Sequence, residues 1–165
     1  MGELRDGPPS ERVRWIVELM RAGGIDASAT HDARLVKWEK YVLLVAFSAV
    51  SAATQLTVGD IRGSEAASGM MRAIMVEAWS IGRAIGIPLA DDLVDRQHAL
   101  VLKQKDDEGS SLRHDLLTGH RMELEALQGT LRRLGRETGI ATPWTDAAYA
   151  IIQPWAIRNE RASTR

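Results

Sequence analysis

Cysteine is absent from the 165 residues, which excludes disulfide frameworks, thiolate metal sites and cysteine nucleophiles together. Neither sign of charge dominates: 21 lysines and arginines stand against 22 acids, a formal net charge of −1. Such a balance argues against a chain built mainly to neutralise nucleic-acid phosphates or anionic lipid. Long hydrophobic runs are also missing. The longest, Tyr41 to Ala53, is interrupted by Ser48 and Ser51 and falls short of the about 20 residues a bilayer span needs. The start, Met1-Gly2-Glu3-Leu4-Arg5-Asp6, carries acids and no apolar signal-peptide core, so a soluble, cytoplasmic protein is expected. The 14 glycines never fall into G-x-G-x-x-G or a glycine-lysine phosphate loop. His31, His98, His114 and His120 lack the one-turn spacing of a metal pair, and no serine nucleophile elbow occurs.

What the chain does have is helical periodicity and, at 45% hydrophobic, enough apolar side chains for the core of one ordinary domain. Ser10 is a good N-cap for a first helix with Val13, Ile16, Val17 and Met20 on one face, ended by Gly23-Gly24. Gly2-Glu3-Leu4 before it and Ile25 to Ser28 after it read as short strands. From Asp32 the pattern is almost purely helical. The expected helices are Asp32–Thr54, closing toward a loop at Gly59, then Ser64–Ile85, Ala90–Lys105, Ser110–Gly119, Met122–Gly135, and a last one from Pro143 to near Glu160. Residues 161–165 read as a frayed tail.

Two segments stand out. In Lys37-Trp38-Glu39-Lys40-Tyr41 and the apolar run that follows, Lys40, Leu44 and Ser48 recur at four-residue spacing, so they share a helix face. A lysine at the mouth of an apolar helix can donate a proton, although alone Lys40 reads as a snorkelling side chain with a solvated head. The second segment runs from Ser110-Ser111 through Asp115 and Gly119 to Glu123; alone, its serines read as a helix cap and Glu123 as a partner of a helix dipole.

Taken together, from about His31 to Trp155, the chain resembles the C-terminal domain of ketopantoate reductase (2-dehydropantoate 2-reductase). The resemblance rests on Trp38-Glu39-Lys40 ahead of an apolar helix and on Ser110-Ser111, Asp115, Gly119 and Glu123 in that order. Glu77 with Gly86-Ile87, and Leu134-Gly135-Arg136-Glu137, Gly139-Ile140 and Thr142-Pro143, add to it. The resemblance implies a mainly α fold: an all-helical domain of the 6-phosphogluconate-dehydrogenase C-terminal kind over 31–160, preceded in 1–30 by a strand-helix-strand remnant of a Rossmann NADP-binding domain. It further implies an NADPH-dependent reductase of a small 2-keto acid, with Lys40 as general acid, Ser111 as a substrate-binding hydroxyl and Glu123 at the cofactor edge.

Two departures qualify that implication. The family carries asparagines four and eight residues after the lysine; here these positions are Leu44, which cannot hydrogen-bond, and Ser48, retained as a shorter substrate-binding group. The glycine-rich nucleotide-binding part is missing, so tight NADPH binding or turnover by this chain alone is not expected. A separately supplied nucleotide-binding domain and a homodimer are the protein partners this suggests. The alternative is a non-enzymatic helical dimerisation or interaction module, or the remnant of a truncated reductase.

Overall fold

The computed structural model describes residues 1–3 and 7–163. It contains α1 (Glu11–Ala22), α2 (Ala33–Thr54), α3 (Val58–Gly63), α4 (Glu65–Ala84), α5 (Leu93–Leu102), α6 (Ser111–Thr118), a π-helical turn (Glu125–Gly129), α7 (Thr130–Thr138) and α8 (Pro143–Ser163). The chain divides into two compact units, residues 1–40 and 41–165, with the division falling inside α2.

In the first unit α1 begins where Ser10 caps it, the side chain accepting from the Val13 amide, and ends before Gly24, whose φ of 80° suits glycine. Val13 and Val17 pack on Ala27 with Met20 alongside, as the apolar spacing predicts. The two short strands do not form. Residues 25–30 and Gly2-Glu3 are irregular, Leu4 lies outside the described residues, and no strand occurs among those described. The Thr30 amide donates to the Met1 carbonyl at 2.7 Å, but one such bridge without further strands makes no ladder. Asp32 opens α2 by accepting from the Leu35 amide at 2.8 Å.

The second unit is built on two apolar helices. Val42, Val45, Ala46, Ala49 and Val50 of α2 are fully buried, as are Met71, Ile74, Met75, Ala78 and Ile81 of α4. The expected loop at Gly59 is instead the short helix α3. Thr57 and Asp60 form a reciprocal capping box there. Gly59 fits because a Cβ would lie 3.1 Å from the Asp106 carbonyl oxygen, on a loop whose Asp106 and Glu108 carbonyls accept from the Gly59 and Val58 amides. Ser64 caps α4 and Ser110 caps α6, while Gly119, at φ 77°, closes α6. The stretch expected as one helix from Met122 starts later, opens as a π-helical turn and then runs on as α7. The α8 helix continues past Glu160 and through Pro154. Its N-terminus is held by Glu77 of α4, a buried carboxylate that accepts from the Trp144 amide at 2.8 Å, the Thr145 amide at 3.0 Å and the Thr145 hydroxyl at 2.5 Å. An anion at a helix N-terminus satisfies donors the helix leaves free.

Candidate functional site

Lys40 is exposed on α2 and is the last residue of the first unit. The other three predicted residues belong to the second. Four-residue steps advance by about 40° around a helix, so a row at that spacing drifts across the surface. Along it Lys40 is exposed, Leu44 is 38% exposed and Ser48 only 4%. The expectation of Ser48 as a substrate-facing group meets this burial directly. Its hydroxyl accepts from Gln128 Nε2 at 2.8 Å and lies 3.4 Å from the Val45 carbonyl, so its bonding is used inside the protein.

Ser111 is the first residue of α6 and is exposed; the capping role falls to Ser110, whose Oγ accepts from the Arg113 amide at 3.1 Å. The Ser48–Ser51 turn of α2 and the start of α6 meet through a Ser51–Ser110 hydroxyl pair at 2.6 Å. Ala52, Leu112, Leu116, Leu124, Tyr149 and Ile152 form the apolar cluster beneath, which ties α2, α6, the π-helical turn and α8 together. Glu123 is exposed just before that turn and lines a hollow of 520 Å³ with Arg121, Glu125, Gln153, Ile157 and Glu160. Of the four predicted residues only Glu123 lines this hollow; Ser111 and Glu123 are exposed next in sequence to Leu112 and Leu124 of the cluster, while Ser48 faces inward.

Residues that sequence reasoning did not single out fix this geometry. The π-helical turn is pinned to α2 along one face: the Tyr41 hydroxyl donates to the Leu127 carbonyl at 2.8 Å, and Gln128 Nε2 donates to the Val45 carbonyl at 2.9 Å as well as to Ser48. Tyr41, Val45 and Ser48 follow the spacing of a helix stripe, and π-helical turns recur at functional sites. Burial of the Tyr41 phenol pushes its pKa well above 10.0. The wall of the hollow is set by Glu125, whose carboxylate accepts the Tyr149 hydroxyl, with Arg132 stacked 4.0 Å over the Tyr149 ring. That hydrogen bond, more than burial, holds the Tyr149 pKa above its ordinary value. The signal available in the sequence was one polar residue, Gln128, inside the stripe Leu124, Leu127 and Leu131. No group of three or more potential metal ligands clusters among the described residues, and no helix there is long and apolar enough to cross a membrane.

The family model described as "Ketopantoate reductase PanE/ApbA C terminal" matches residues 32–156. A 2-dehydropantoate 2-reductase of Mesorhizobium japonicum is 33% identical over 156 residues, which are 92% of this chain and 46% of that protein. The chain spans about half the length of the curated relatives it matches, as shares of 46%, 45% and 45% show. Among solved structures, 2-dehydropantoate 2-reductase of Methylococcus capsulatus superposes with a TM-score of 0.85 at 31% identity, over 96% of this chain and 54% of that one. A ketopantoate reductase of Staphylococcus aureus, described as dimeric, superposes at 0.84 with 21% identity, over 91% of this chain and 52% of that one; it shares the fold.

Proposed function

Because the chain belongs to the ketopantoate reductase family, as its C-terminal domain, we propose that it is the substrate-binding, proton-donating half of an NADPH-dependent reductase of a small 2-keto acid. The observation that carries the reading is the pair Ser111 and Glu123. Both are exposed, Ser111 beside Leu112 and Glu123 beside Leu124 of one apolar cluster, and Glu123 opens on the 520 Å³ hollow, which Ser111 does not line.

Reduction of a ketone builds negative charge on its oxygen. The Lys40 ammonium stabilises that charge and supplies the proton from Nζ. The Ser111 hydroxyl bonds the substrate. Glu123, as an acceptor, suits ribose hydroxyls at the cofactor's edge of the hollow. The pyrophosphate of a dinucleotide is another matter. It rests on a glycine-rich turn from strand to helix, and the described residues hold no strand and the sequence no such glycine pattern. These residues do not form that cradle, and residues 1–30 are read as the end of a nucleotide-binding domain.

The test is NADPH oxidation with 2-keto acids by the chain alone and mixed with the nucleotide-binding half of the Mesorhizobium japonicum relative. The chain alone is expected to be inactive. In the mixture Lys40→Ala should lower turnover about a hundredfold or more. Unchanged turnover removes Lys40 from the mechanism, and micromolar NADPH binding by the isolated chain overturns the incomplete cofactor site. The second reading, a helical interaction module that pairs with its own copy, is supported by Trp144, Ile151 and Trp155, exposed at helical spacing on α8. Sedimentation equilibrium distinguishes it: a monomer up to high micromolar concentration refutes pairing.

A further inference from the structure

Exposed hydrophobic residues scattered singly need no explanation, but on α8 they form a row. Trp144, Ala147, Ile151, Pro154 and Trp155 are all exposed, Trp144 and Ile151 with half of their surface in solvent. Steps of three and four residues keep them on one side of the helix, while Thr145, Tyr149 and Ile152 turn the adjacent side into the core. Charge enters the row only at Arg158, whose guanidinium lies 5.2 Å from the centre of the Trp155 ring. Tryptophan at the centre, arginine at the edge and no carboxylate between them is the composition of an interface core. Both ends of the row continue onto neighbouring helices. Trp144 shares a hollow with exposed Val76 of α4, and Trp155 shares another with exposed Leu117 of α6.

The row is its own complement. Counted from Ile151, Trp144 and Arg158 lie seven residues to either side, and Ala147 and Trp155 lie four. An antiparallel second copy of α8, turned about an axis through Ile151, therefore sets its Arg158 against Trp144, its large Trp155 against small Ala147, and its Ile151 against Ile151. A cation meets an aromatic ring and a large side chain meets a small one, each twice. An unrelated partner has no reason to repeat this symmetry, whereas a two-fold pair of identical chains requires it. We propose that a second copy of this chain docks on this face, α8 against α8, with the two-fold axis at Ile151. This deepens the pairing reading of the previous subsection and rests on it. With Val76 and Leu117 at the flanks, two such faces cover about 1,000–1,200 Å², the low end for specific association, so pairing in the micromolar range is expected.

The sequence contains no cysteine, so a single introduced thiol reports on its own surroundings alone. Under mild oxidation of the full chain, Ile151→Cys at the axis is expected to be captured as a disulfide-linked dimer. Trp15→Cys, at an equally exposed site on α1, should stay monomeric. Sedimentation equilibrium of the unmodified chain should show a reversible dimer. Ile151→Asp, an exposed change that leaves the core intact, sets two carboxylates against each other at the axis and should weaken that dimer about tenfold or more. A dimer that forms equally well with Ile151→Asp overturns this face and leaves pairing through another surface standing. Capture of Trp15→Cys as readily as Ile151→Cys does the same. A chain that stays monomeric to high micromolar concentration overturns both the face and the pairing reading, and leaves the row to a different partner.

Discussion

Glycine at 129 and glycine at 135 look alike in sequence and do different things. A Cβ at 129 would collide with the Glu125 Oε2 atom, the free end of a flexible side chain. At 135 it would lie 2.8 Å from the Ile140 carbonyl oxygen and 2.8 Å from Thr142 Cγ2, in a buried position. Gly129→Ala should therefore cost the Glu125–Tyr149 hydrogen bond, about 1 kcal/mol. Gly135→Ala should cost more, about 2–3 kcal/mol, because backbone has to move. Urea denaturation of both variants checks the order. Tyr41 carries a pH dependence. Its folded pKa lies above the 10.0 of the unfolded chain, so the folded state keeps a proton that the unfolded state gives up. Stability is full below pH 10.0 and falls as pH rises beyond it. Tyr149 acts in the same direction, through the carboxylate of Glu125. Thermal melts at alkaline pH should show a shallower decline for Tyr41→Phe than for the parent protein.

Helix ends, more than helix interiors, decide where these elements sit. Ser10, Ser64 and Ser110 each cap a helix with their side chains, and each is recognisable as a serine just ahead of a periodic run. Replacing Ser64 by Ala should cost about 1 kcal/mol in urea denaturation. The start of α8 uses a different device, since its cap is a carboxylate from α4, 67 positions from Trp144. Glu77→Gln keeps the shape but loses the charge on three hydrogen bonds, and about 2 kcal/mol of stability is expected to go with it. A loss much smaller than that would mean that α8 is held mainly by its apolar face. The short helix α3 went unread because six residues are too few to show a period, although its Thr57–Asp60 box was there to be seen. The π-helical turn was unread for another reason. Its register depends on partners on α2, and the sequence between Met122 and Gly135 fits an ordinary helix equally well.

The molecule as a whole is two units of unequal core. Residues 1–40 bury Val13, Val17, Ala27 and Ala33, whereas among the described residues every apolar side chain wholly shielded from solvent lies in 41–165. Amide hydrogen exchange should be slowest in α4 from Met71 to Ile81 and in α2 from Val45 to Val50, and much faster through residues 23–31. Uniform protection along the chain would contradict this division.

The sequence by itself determined the helical class, most helix boundaries and the family, because these follow from local periodicity, caps and the order of residues such as Lys40, Ser111 and Glu123. Only the tertiary structure decided that Ser48 faces inward to Gln128 and that Glu77 holds α8. It likewise decided that the expected strands stay irregular. Each of these depends on a partner many residues away or on strands with nothing to pair with, and spacing along the chain carries no record of such partners.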